Sequence, residues 1–104
     1  MEINNEDFDV VNELINSNPI IHIRIRKRNN RQSVTSIENL FNVKKDEEFM
    51  KLITKKFRKN FHCTATYNKK DKIISLFGDQ RENVKKYLIE NNLSEDKYIK
   101  IHGF

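Results

Sequence analysis

The chain has 104 residues, 37% of them hydrophobic, 34% charged and 10% aromatic, which suits one compact domain with a modest core and excludes two. Its net charge of +5 is unevenly placed: residues 1–23 hold Glu2, Glu6, Asp7, Asp9 and Glu13 and no Lys or Arg, which leaves all 20 cations and only 10 of the 15 anions on a body of +10. A body that basic favours a nucleic-acid partner over an acidic small molecule, and no stretch approaches the roughly 18 apolar residues of a membrane span.

Met1 to Asn18 is polar and acidic, with Val10-Val11 and Leu14-Ile15 its only sizeable apolar pairs. At most a short, weak helix over residues 9–15 is expected, in a tail (residues 1–18) that is otherwise flexible and disordered. It lacks the apolar region of a secretion signal, so the expected location is cytoplasmic. Pro19 marks the boundary of a single domain over 19–104, because it cannot donate into a strand and biases Asn18 towards an extended backbone.

The next stretch organises the chain. Ile21, Ile23 and Ile25 alternate with His22, Arg24 and Arg26, the period of a half-buried strand. Ser33-Val34-Thr35-Ser36-Ile37 is β-prone, and Asn29-Asn30 between the two runs is the turn signal of a hairpin, since asparagine tolerates the positive φ of tight turns. Val34 and Ile37 cannot both face a core in an unbroken strand, which predicts a bulge or an end near Ser36. Arg24, Arg26, Lys27, Arg28 and Arg31 crowd this corner. It is either a solvated loop or a cluster whose self-repulsion a polyanion relieves.

Asp46 to Lys59 is predicted as a helix burying Phe49, Leu52, Ile53 and Phe57, with acids in its first turn and Lys55, Lys56, Arg58 and Lys59 in its last, as the helix dipole favours. Lys51, Lys55, Arg58 and Lys59 fall opposite that stripe, as an ordinary solvated face or a second basic surface beside the hairpin. Phe61, Cys63, Ala65 and Tyr67 alternate as a third strand, and the turn Asn68-Lys69-Lys70-Asp71 leads to a fourth, Lys72 to Phe77, apolar enough for a covered central position. After Gly78, Asp79 is the expected N-cap, with Glu82 three residues on, of a helix through Val84, Tyr87, Leu88 and Asn91. Asn92 is expected in the left-handed C-terminal position with Leu93 packing back. A last strand, Tyr98 to His102, completes the order ββαββαβ: an α+β fold, a two-layer α/β sandwich with two helices on one face of a five-stranded sheet.

No catalytic constellation emerges. His22, His62 and His102 each stand singly among strand residues, which marks them as outward-facing polar residues, and no Cys or His pair has metal-ligand spacing. Cys63 is the only cysteine, so no intramolecular disulfide forms, and no base stands near it in sequence. With two glycines there is no phosphate-binding loop. Neither catalysis, cofactor nor metal is expected.

Gly78-Asp79-Gln80-Arg81, Asn83, Tyr87-Leu88 and the closing Ile101-His102-Gly103-Phe104 resemble the eukaryotic translation initiation factor 1 family. Ile21 to Ile25, the tip Arg28-Asn29-Asn30-Arg31 and Phe57 to Cys63 resemble the same family in the same order, so the likeness runs from about Pro19 to Phe104. It implies a monomeric, non-catalytic protein without cofactor that binds ribosomal RNA of the small subunit beside the P site, helps scanning and rejects wrong start codons. It also implies initiator tRNA as a steric neighbour and other initiation factors as partners. Carried onto this chain, the tip would touch ribosomal RNA and crowd the tRNA, with Asp79, Gln80 and Arg81 near the working surface. Where the family's tip has glycine and then a basic residue after the last arginine, this chain has Asn30 and Gln32, and Thr64-Ala65 replaces the family's Asn-Gly. A recycling or reinitiation factor of the same fold, and a protein adaptor docking acidic partners on the Lys51 to Lys59 face, remain alternatives.

Overall fold

A computed structural model describes residues 18–103. In chain order these form β1 (Ile21–Lys27), β2 (Ser33–Glu38), a one-turn helix α1 (Phe41–Lys44), α2 (Glu47–Phe61), β3 (Ala65–Asn68), β4 (Ile73–Phe77), α3 (Arg81–Glu90), a 3-10 turn at Asp96–Tyr98 and β5 (Ile99–Ile101). The sheet order is β3-β4-β2-β1-β5. Every neighbour is antiparallel except β5, which lies parallel to β1 with Ile21 opposite Ile99 and Ile23 opposite Ile101. A parallel edge needs a long crossover, and everything between β1 and β5 supplies it.

The α+β fold expected from the pattern is the one adopted, with α1 as an addition. Ile21, Ile23, Ile37, Ala65, Ile74 and Leu76 point to one face of the sheet and form a single core with Met50, Ile53 and Phe57 of α2 and Val84 and Leu88 of α3. Both long helices therefore cover the same face, and β4 is interior to the sheet but covered on one side only. Ile74 and Leu76 are buried while Phe77 is exposed.

Several local expectations fail for tertiary reasons. β2 runs unbroken from Ser33 to Glu38, because Val34 does not face the core: it points to the open face with Arg26 and Phe77. Thr35 takes the inward place and is fully buried. The buried stripe of α2 is Met50, Ile53, Thr54 and Phe57, one position round from the predicted one, and Leu52 is 53% exposed. Thr54 is tolerated there because its hydroxyl donates to the Met50 carbonyl at 2.7 Å. Phe61 belongs to α2 rather than to a strand, and His62 ends that helix at φ 51°. Asp46 is the N-cap, its carboxylate accepting from the Glu48 amide at 3.0 Å. Asn92 is left-handed at φ 57°, with the Leu93 amide on the Leu88 carbonyl at 2.9 Å, the expected helix end. The acidic tail and Phe104 lie outside the described residues.

Candidate nucleic-acid interface

The tip is a five-residue loop, Arg28 to Gln32, between the paired ends Lys27 and Ser33. Its backbone closes through the Arg28 amide on the Gln32 carbonyl at 2.7 Å. The side chain of Asn29 does the rest: its Oδ1 accepts from the amides of Arg31 and Gln32, both at 2.9 Å, and its Nδ2 donates to Gln32 Oε1 at 3.1 Å. Neither Asn29 nor Asn30 has positive φ, contrary to the expected tight turn. Asn29 serves as a side-chain mimic of a backbone turn instead. Asn30 therefore needs no glycine, and the chain's departure from the family's tip carries no backbone strain. Arg26, Arg28, Asn30 and Arg31 are exposed on this loop and its base. Arg24, one turn of the pleat lower, is held by Glu38 at 3.1 Å.

Strand register brings other elements to the same end. Arg26 pairs across to Val34 and Val34 to Phe77, while the Gly78 amide donates to the Ser33 carbonyl at 2.8 Å and the Phe77 amide to the Thr64 carbonyl at 2.9 Å. The last turn of α2 is tied there too, because Arg58 Nη2 donates to the Ala65 carbonyl at 2.8 Å. Arg58 is thus partly committed to holding α2 on β3. Lys59 and Lys55 are exposed nearby, whereas Lys51 lies about 10 Å further along α2 and pairs weakly with Glu48 at 3.8 Å.

The junction Gly78 to Arg81 is built differently from the predicted cap. The N-cap position is Gln80, not Asp79. Thr35, buried under the junction, donates from Oγ1 to the Gly78 carbonyl at 2.7 Å and accepts the Gln80 amide at 2.9 Å. Gly78 sits at φ 89°, where a side chain would be strained. Asp79 accepts the Arg81 amide at a long 3.3 Å and grips the Arg81 guanidinium at 2.9 Å through each oxygen. That pairing holds the Asp79 carboxyl below its ordinary range. Arg81 also donates to the His102 carbonyl at 3.1 Å, so Asp79 and Arg81 form a clasp between the start of α3 and the end of β5.

Sequence reading missed Thr35, although a polar residue in phase with Ile37 was the available signal. It also missed that His22 Nδ1 and His102 Nε2 meet at 3.0 Å across the parallel edge, where burial, then Arg24, keep His102 below the usual histidine range. Cys63 is half-buried against the core, and desolvation pushes its thiol up. Among the described residues no group of three or more His, Cys, Asp or Glu is placed to hold a metal, and no helix is long and apolar enough to cross a membrane.

This small mixed α+β sandwich, with its cationic hairpin and clasped helix start, has relatives among known proteins. The profile of the family described as "Translation initiation factor SUI1" matches residues 17–94. Eukaryotic translation initiation factor 1 of Mus musculus is 38% identical over 87 residues, covering 81% of this chain and 74% of that protein. The Homo sapiens protein of the same name is 37% identical over the same span, and a Zea mays protein translation factor SUI1 homolog is 36% identical over 91 residues, covering 85% and 76%. The chain belongs to the SUI1 family of translation initiation factors.

Proposed function

We propose that this chain binds the small ribosomal subunit beside the P site, keeps the complex open for scanning and penalises pairing at wrong start codons, working in the cytoplasm as a monomer. The observation that supports this reading best is the tip: a loop made rigid by Asn29 carries Arg28 and Arg31 outward on a body of +10. Fixed cations contact phosphates without reading sequence and so set position. Arg26, Lys27, Lys55 and Lys59 extend the same contact, Arg24 and Lys51 border it, and Asp79, Gln80, Arg81 and Arg58 hold its parts in register. A rigid uncharged Asn29-Asn30 segment then serves as the obstacle to a fully seated initiator tRNA, tolerable only when codon pairing offsets the clash.

Titration of purified small subunits across a salt series tests the anchoring. Arg28→Ala with Arg31→Ala should weaken binding and lower the salt slope by about one unit or less per charge. Asn29→Ala keeps every charge but loosens the loop, so subunit affinity should stay within about threefold while initiation at UUG rises relative to AUG in a paired reporter. A normal UUG to AUG ratio in the Asn29 variant would reduce the tip to an RNA anchor.

One observation favours a second reading, docking of other initiation factors on α2. Leu52 stands exposed amid Lys51, Lys55, Lys56 and Lys59, an apolar centre in a basic face suited to an acidic partner with a hydrophobic contact. Leu52→Ser would weaken such docking and, adding no charge, leave binding to bare subunits unchanged.

A further inference from the structure

The face of the sheet opposite the helices is uncovered by any described element, and its chemistry is specific. Register places Arg26, Val34 and Phe77 in one row across β1, β2 and β4, and Arg24, Ser36, Ser75 and Thr66 in the next. A third row holds Lys100, His22 and Glu38. Cations therefore outnumber anions three to one on this face, and the single carboxylate is already paired with Arg24. Phe77 is 40% exposed at the end of β4, beside a groove of about 310 Å³ lined by Arg26, Lys27, Arg28 and Val34. Beneath, Ser36 is 4% exposed and its hydroxyl has no hydrogen-bond partner.

We propose that this open face holds an unpaired stretch of RNA, with one base stacked on Phe77 and its flanking phosphates on Arg26 and Arg28. It rests on the reading of the chain as an RNA-binding initiation factor and adds to it a base-stacking contact at Phe77 that shares Arg26 and Arg28 with the tip. Apolar side chains on this face are Phe77 and Val34 at one end and the half-buried Ile73 four residues away on β4, about 13 Å off, too dispersed for the apolar centre of a protein interface but with one exposed π-face at Phe77. Two strand spacings, about 10 Å, separate the Phe77 row position from that of Arg26, within the reach of a base and the phosphates beside it. Duplex RNA hides its base faces, so the face discriminates single strands from duplexes by shape, whereas the tip's phosphate contacts do not.

The chain has no tryptophan, so Phe77→Trp installs a single fluorophore at the site itself. Titration with a short oligouridine should quench its emission to saturation, and a duplex of equal length should quench it little. Phe77→Tyr should keep the single-strand affinity, while Phe77→Leu, apolar but without a π-face, should lower it about 5- to 150-fold. Thermal melts of each variant confirm that the fold survives. Unchanged emission at saturating RNA, or a folded Phe77→Leu variant that binds oligouridine as tightly as the parent, overturns the proposal. The ribosomal reading is judged separately on the same day's samples: if Arg28→Ala with Arg31→Ala abolishes subunit binding while Phe77→Leu keeps single-strand affinity, only the sheet-face proposal falls. If the tip variant binds subunits normally, the ribosomal reading falls, and Phe77 quenching stands or fails independently.

Discussion

Replacing Thr35 by valine should be the most informative change to the junction that carries Asp79, Gln80 and Arg81. Valine keeps the shape and removes one hydroxyl, which donates at 2.7 Å to the Gly78 carbonyl and accepts at 2.9 Å from the Gln80 amide. Thr35 itself is fully buried and the two bonds are partly buried, so each stranded backbone group should cost near the lower end of the usual 1–3 kcal/mol. Two such groups amount to about 2–3 kcal/mol, or roughly 10–20 °C in midpoint for a domain of this size. Thr35→Ser keeps both bonds and loses one buried methyl, about 1 kcal/mol. The assay is urea unfolding of both variants with m-values compared. Valine should be the more damaging by about 1–2 kcal/mol. A Thr35→Val protein as stable as Thr35→Ser would show that the hydroxyl does not hold the junction, and that Gly78 and the Asp79–Arg81 clasp are sufficient to start α3.

Ser36, one residue on, should behave in the opposite way: its buried hydroxyl has no partner, so Ser36→Ala should be neutral or stabilising in the same unfolding assay, and a loss above about 1 kcal/mol would refute the orphan reading. The Lys72 ammonium and then the Tyr67 hydroxyl hold the Glu47 carboxyl below its ordinary value of 4.5. Its stabilisation is therefore present above about pH 4.5 and is lost as pH falls through the folded value, so Glu47→Gln should flatten the acid limb of stability against pH. At the alkaline end, burial and then Glu47 push Tyr67 up to about 12, and the phenol's contribution is lost as pH rises from its unfolded value of about 10 through that point. Ultraviolet titration should show a tyrosine phase at about pH 12, and Tyr67→Phe should remove it while leaving the upward shift that burial gives Tyr87.

Local pattern alone determined much of this protein. The period of two in Ile21, Ile23 and Ile25 specifies a half-buried strand in any context, because successive side chains must alternate faces. The acids and bases at the ends of α2, the left-handed Asn92 after α3 and the cationic run between two strands depend on neighbours a few residues away, so they are legible one window at a time. What the window cannot hold was decided by tertiary packing. Leu52 and Met50 both fit an apolar helical stripe, and only the seating of α2 on the sheet selects Met50 for burial and leaves Leu52 among lysines. Val34 reads as core, yet parity with the inward Thr35 and Ile37 turns it to the open face beside Phe77. The cap of α3 rests on hydrogen bonds from Thr35 spanning 43 and 45 residues, which no local rule links to Gly78 and Gln80. The same long-range closure, with β5 added parallel to β1, brings His102 to His22 and its carbonyl to Arg81. Hydrogen bonds and burial of this kind are made between elements after they pack, so their partners are chosen by topology rather than by neighbouring residues.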